Sequence, residues 1–155
     1  MTITIFSEQP DSEESLNLIR QLDEDLRRRY PEMPAQMIHG LLPSDMVDPR
    51  FTFFIARSDG LAVGCGAIRN LEPGVAEVKR MFVLPAFRGR GVARRLLAAL
   101  ESRALELGHS TVRLETGKGQ PEAICLYKSS GYREIAAFGE YAGNAFSVCF
   151  EKQLT

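Results

Sequence analysis

The segment Val83-Leu84-Pro85-Ala86-Phe87-Arg88-Gly89-Arg90-Gly91-Val92-Ala93 constrains this chain more than any other part of it. Residues 75–84 before it read as a strand. After it, Val92, Leu96, Leu97, Leu100, Ala104 and Leu107 recur on one helix face, and Gly108 is a helix stop. Two glycines and a group of arginines therefore stand where a strand hands over to a helix. At such a junction the first backbone N–H groups have no partner within the helix, and the dipole adds partial positive charge. Glycine at 89 and 91 lets the backbone wrap closely round an anion, and the small Ala93 does not crowd it. The local chemistry is that of a pyrophosphate cradle.

The charge distribution points the same way. Of 155 residues, 19 are Lys or Arg and 20 are Asp or Glu, a formal net charge of -1. Lys79, Arg80, Arg88, Arg90, Arg94 and Arg95 fall within residues 78–100, which hold no acid, so +6 is concentrated there and the remainder is acidic. A solvated basic face is the bland alternative, and the glycines inside the run weigh against it. The acidic remainder argues against a nucleic-acid backbone as partner and for one small phosphorylated molecule.

Other chemistries lack their residues. Gly117-Lys118 would need a glycine at position 112, where Val112 stands, to form a nucleotide-triphosphate loop, and Gly119 replaces its Ser/Thr. No GxSxG elbow is present. His39 and His109 have no metal-ligand spacing, so both read as surface or loop histidines and no metal is expected. Cys65, Cys125 and Cys149 are odd in number, widely spaced and set in apolar patterns, which suits packed, reduced thiols in a cytoplasmic protein. The first residues lack a basic n-region, and the longest uncharged apolar-rich stretch, 60–68, is half what a membrane span needs. A cytoplasmic protein with no membrane partner is the expectation.

Length and composition suit one domain over 1–155: 45% of residues are hydrophobic and 25% charged. A first strand at 1–6 precedes a helix at 11–29, with Asp11 as N-cap and Glu14 three residues on, and Arg27, Arg28 and Arg29 complementing its dipole. A short helix is expected at 37–42 among prolines. Segments 51–57 and 61–69 form a hairpin through Ser58-Asp59-Gly60, and 70–74 is a second turn. Strand 110–116 follows the helix and should lie parallel to strand 75–84. A helix opens at Pro121 and closes at Gly131, and strands 132–138 and 146–151 end the chain. The result is an α+β fold with a central mixed, mainly antiparallel sheet of about seven strands flanked by about four helices. A meander before the glycine loop, and Arg94 where a third glycine would stand, argue against a dinucleotide-binding Rossmann unit.

Arg88-Gly89-Arg90-Gly91-Val92-Ala93 resembles the Q/R-x-x-G-x-G/A signature of the GNAT superfamily, the acyl-CoA-dependent N-acetyltransferases. Ala123-Ile124-Cys125-Leu126-Tyr127-Lys128-Ser129-Ser130-Gly131-Tyr132 is similar to that family's A-x-x-L-Y-x-x-x-G-F/Y segment. The element order extends the resemblance over essentially the whole chain.

The resemblance implies acetyl-CoA as cofactor, with coenzyme A as product. Backbone N–H groups of Arg88, Gly89, Arg90, Gly91, Val92, Ala93 and Arg94 would hold its pyrophosphate. Val83, with Met81 and Phe82, would pair its backbone with the pantetheine arm, and an N–H at Met81 or Phe82 could polarise the thioester carbonyl. Gln120 stands where many relatives have asparagine near the arm. Tyr127 matches the tyrosine that protonates the departing thiolate, and Glu77 stands where some members carry a glutamate general base; pairing with Lys79 or Arg80, or binding the substrate ammonium, are its alternatives. Thr116 and Gly117 would border the acyl group and acceptor. Glu115 reads equally as a strand end or a contact. Glu140 and Tyr141, in the glycine-rich loop 138–146, are candidate acceptor contacts, as is the segment 30–49.

The reading is an N-acetyltransferase that moves acetyl from acetyl-CoA to a primary amine of a small polar acceptor by direct attack in a ternary complex. The competitors are a non-catalytic acyl-CoA-binding regulatory module and a nucleic-acid-binding protein. Homodimers are common in the family, and no residue here announces one.

Overall fold

The turn chemistry of the sequence folds the chain back on itself. Asp59 and Gly60 take φ of 49° and 89°, the left-handed pair that a two-residue hairpin requires, and they join β2 (Thr52–Ser58) to β3 (Leu61–Glu72). The computed structural model describes residues 2–34 and 40–154. Its other strands are β1 (Ile3–Ser7), β4 (Val75–Val83), β5 (Thr111–Gly117), β6 (Arg133–Ile135) and β7 (Ser147–Gln153), and the helices are α1 (Glu13–Arg29), α2 (Pro43–Met46), α3 (Val92–Glu106) and α4 (Pro121–Ser129). The seven strands form one sheet in the order β1-β2-β3-β4-β5-β7-β6. β4 and β5, joined through α3, are parallel, and the other pairs described are antiparallel.

Alternation along the strands separates two faces. Phe53, Ile55, Cys65, Ala67 and Phe82 pack with Leu18 and Leu22 of α1. Val78, Val112, Leu114 and Phe150 pack with Leu97, Leu100 and Ala104 of α3 and with Tyr127 of α4. Helix α1 therefore covers one face, and α3 and α4 cover the other. Each fully buried leucine contributes roughly 1.5–3 kcal/mol to holding its helix down.

Several local expectations are corrected. The cap of α1 is Ser12, whose Oγ accepts from the Ser15 N–H at 3.1 Å; Asp11 lies one residue outside. β3 runs on to Glu72, because Arg69 and Asn70 pair with Glu77 and Ala76. β6 spans three residues, and the chain then leaves the sheet before β7 inserts between β5 and β6. The short helix lies at Pro43–Met46, while residues 37–39 of the expected one, with His39, fall outside the described residues. His109 is buried, and Cys125 is exposed on α4, although Cys65 and Cys149 are buried.

One irregularity shapes the site. Cys65 faces Phe82 but Ala67 faces Lys79, so β4 carries one residue more than β3 across this step. Arg80 sits in that bulge with φ of 60°, a conformation that costs a non-glycine residue on the order of 1–3 kcal/mol. Its guanidinium is anchored to Asp23 of α1 at 2.6 Å. Pairing of β4 with β5 ends at Val78 and Leu114, so the two strands part just before the bulge.

Candidate active site

Where β4 and β5 part, a cleft of about 370 Å³ opens between the end of β4, the turn into α3 and the start of α4. Met81, Phe82, Val83, Arg88, Gly89, Gly91, Val92, Ala93, Arg94, Gln120 and Tyr127 line it, with Leu22, Asp25 and Arg29 of α1. A second chamber of about 90 Å³ is lined by Lys79, Arg80, Glu115, Thr116 and Tyr141. Leu22, Met81, Gln120 and Tyr127 border both, so the two spaces adjoin at these four side chains.

Gly89 and Gly91 have φ of 77° and 80°, and a Cβ at either would meet nothing within 4 Å. Backbone conformation, not crowding, requires glycine there. Gly91 is the N-cap of α3 and offers no side chain to its first turn, which holds no acid. The orphan N–H groups at Val92, Ala93 and Arg94 are thus left to the cleft.

The basic run divides between jobs. Arg88 and Arg94 line the outer cleft, while Lys79 and Arg80 line the inner chamber. Arg94 also reaches Ser130 and Ser129 at 3.1 and 2.9 Å, tying α3 to α4. Arg90 lies over the Phe87 ring, and Arg95 binds the Ile3 carbonyl of β1 at 3.0 Å. Arg88 Nε donates to the Val83 carbonyl at 2.8 Å, so pairing of a pantetheine arm with that oxygen would require Arg88 to move.

Tyr127 is buried, with its ring edge-on to Tyr132 at 5.9 Å. Burial first, and then the Glu115 carboxylate, push its phenol well above the ordinary 10. Glu115 accepts a 2.6 Å hydrogen bond from the Ser147 hydroxyl. Its pKa is pushed up to about 7, mainly by burial; Ser147 and Lys79 oppose the rise, and Glu77 and Glu140 add to it.

Glu77 is placed differently from expectation. It is 0% exposed and lines neither space. Arg69 Nε binds its Oε1 at 2.8 Å and the Tyr141 hydroxyl binds its Oε2 at 2.6 Å, so its partner is Arg69 of β3 and not Lys79 or Arg80. Lys79 instead meets Glu140 at 3.4 Å. Thus Tyr141 and Glu140, both from the loop 138–146, reach the chamber's wall through different partners.

Thr116 is buried against the chamber, but Gly117 is not in it. A Cβ on Gly117 would overlap the Tyr30 hydroxyl, which explains the glycine as a packing requirement. Tyr30, at the end of α1, donates to Gln120 Oε1 at 3.1 Å and accepts from the Gly119 N–H at 3.0 Å. Arg29 bonds the Gly119 carbonyl at 3.1 Å and pairs with Glu122. Sequence reasoning gave Arg29 only a dipole role, included Tyr30 only in the candidate acceptor segment 30–49, and missed Ser147. The partners are far away along the chain, and no local pattern marks them.

The family model described as the acetyltransferase (GNAT) family matches residues 16–132. The chain belongs to this family. An IAA acetyltransferase of Azospirillum brasilense is 40% identical over 153 residues, covering 98% of each chain. An N-alpha-acetyltransferase RimI of Mycobacterium tuberculosis is 32% identical over 125 residues, 74% of this chain and 77% of that protein. Among solved structures, one described as an acyl-CoA N-acyltransferase of Klebsiella pneumoniae superposes with a TM-score of 0.82 at 36% identity, over 99% of both chains. The PaiA N-acetyltransferase of Thermoplasma acidophilum, solved with coenzyme A, shares the GNAT fold at 18% identity and a TM-score of 0.72, over 99% of each chain. This GNAT chain is an acyl-CoA-dependent N-acyltransferase.

Proposed function

We propose that the enzyme transfers an acetyl group from acetyl-CoA to the primary amine of a small polar acceptor, by direct attack within a ternary complex. The observation that carries this reading is the position of Tyr127, a buried phenol at the junction of the two spaces.

The outer cleft fits the coenzyme on its own geometry. Two left-handed glycines and the orphan N–H groups of α3 suit a pyrophosphate. The unpaired edge of β4 beyond Val78 suits the amides of an extended arm, and Gln120, fixed by Tyr30, borders the same space. Bound acetyl-CoA supplies the acetyl thioester.

The protein's own groups then divide the proton work. Tyr127, held protonated by burial, donates to the departing thiolate. Glu115, with a pKa of about 7, is half ionised near neutrality and takes the proton from the acceptor ammonium. Ser147 fixes the carboxylate while it does so. A backbone N–H at Met81 or Phe82 would polarise the thioester carbonyl. Glu77 is here a positioning residue, since it braces Tyr141 from below the chamber.

Thiol release from acetyl-CoA, followed with a panel of amines, tests the reading. Amine-dependent release supports it. Tight coenzyme A binding with no transfer would instead favour the regulatory module.

A further inference from the structure

The inner chamber constrains the acceptor beyond its amine. Its volume, about 90 Å³, equals the liquid share of about three waters, which suits a small head group. Two cations border it, Lys79 and Arg80, with side chains 5% and 4% exposed. The Arg80 charge is met by Asp23 at 2.6 Å. Lys79 is served more loosely: its ammonium lies 5.9 Å from the centre of the Tyr141 ring and 3.4 Å from Glu140, a half-exposed loop acid, whereas a charge-assisted N–H···O bond is ordinarily about 2.7–2.9 Å. An ammonium carries three donors, so Lys79 has capacity for a second anion. Glu115 supplies the opposite charge in the same chamber.

We infer that the acceptor is a small amino acid, its carboxylate held by Lys79 and its amino group directed at Glu115. This rests on the acetyl-transfer reading above and names the acceptor class of that site. The same charges disfavour polyamines and other acceptors with a second ammonium, which would meet Lys79 and Arg80 as like charges. Neutral amines lack the group that Lys79 is placed to bind. Thr116 and Tyr141 contribute hydroxyl-bearing walls, and Leu22, Leu26, Val78 and Met81 supply the apolar part of the lining, against which a short aliphatic side chain would pack.

The test compares acceptors matched in size at saturating acetyl-CoA: glycine, alanine and aspartate against glycinamide and alaninamide, with spermidine as the polycation. The free carboxylates should exceed the amides in kcat/KM by about tenfold or more, the worth of one charge-assisted hydrogen bond. Lys79→Gln should collapse that ratio towards one, and Lys79→Arg should keep part of it. Coenzyme A affinity, measured on each variant, reports folding separately. Transfer to amides or spermidine at rates equal to the amino acids would overturn the acceptor class and leave acetyl transfer standing. Coenzyme A binding with transfer neither to these amines nor to any of the wider amine panel would overturn both.

Discussion

Tyr141 donates a 2.6 Å hydrogen bond to Glu77 Oε2, linking a loop at one end of the chain to a fully buried carboxylate on the central strand. Arg69 holds the other oxygen and also meets Asp45 at 3.2 Å, so the bond closes a buried network. Tyr141→Phe removes one donor from a carboxylate that water does not reach. We expect a loss of about 1–3 kcal/mol in urea denaturation. Because the loop also carries Glu140 to Lys79, the KM for the acceptor should rise more than that for acetyl-CoA.

As the proposed base, Glu115 should give the reaction its pH dependence. The ionised form is the base, and its pKa is about 7, so kcat/KM for the acceptor should be full above neutrality and fall as pH drops through that value. Glu115→Gln should abolish this limb along with most of the activity. Stability runs the other way. A carboxyl whose folded pKa is raised above its ordinary 4.5 favours the fold at low pH and loses that contribution as pH rises from 4.5 through about 7. Glu115→Gln should therefore be more stable than the native chain in mildly alkaline urea titrations.

Gly91 tests the cradle. With φ of 80° and open space around it, an alanine there meets no clash, and its cost is the backbone's alone, on the order of 1–2 kcal/mol. Gly91→Ala should weaken coenzyme A binding in calorimetry as the turn relaxes away from the left-handed region. Gly60→Ala, at φ of 89° in the distant hairpin turn, should strain the fold similarly and leave coenzyme affinity intact.

His109 should make the fold acid-sensitive independently of the site. It is buried, and among the described residues neither ring nitrogen has a hydrogen-bond partner. Burial, and then Arg50, hold its pKa below the ordinary 6.5, with Asp48 opposing. The unfolded chain therefore binds a proton that the folded chain resists. Stability is full above pH 6.5 and declines as pH falls below it. The difference in urea midpoint between the native chain and His109→Leu should be constant above pH 6.5 and widen as pH falls below it.

Much of this fold is legible in local sequence. Asp59-Gly60, Gly91 and Gly131 mark turns and helix ends because each takes a positive φ that few other residues tolerate. The glycine turn and the segment around Tyr127 stand out because each is a run of contiguous residues. The base was not. Glu77 and Glu115 both follow the alternation of a strand, and nothing nearby says which one a cavity reaches. That is decided by the Arg80 bulge, by the parting of β4 from β5 after Val78, and by the loop that lowers Tyr141 onto Glu77. Tyr30 was hidden for a related reason. Its partners Gly119 and Gln120 lie some ninety residues away, and only the packing of α1 against the sheet brings them together.

Tyr127 is where the account is most exposed. Tyr127→Phe keeps the buried ring and removes only the hydroxyl, so coenzyme A affinity should be retained. The kcat for acetyl transfer should fall by about a hundredfold or more, the usual worth of a positioned general acid. A Phe variant that transfers acetyl at the native rate, with coenzyme A still bound, would contradict the assignment of this cleft's proton donor.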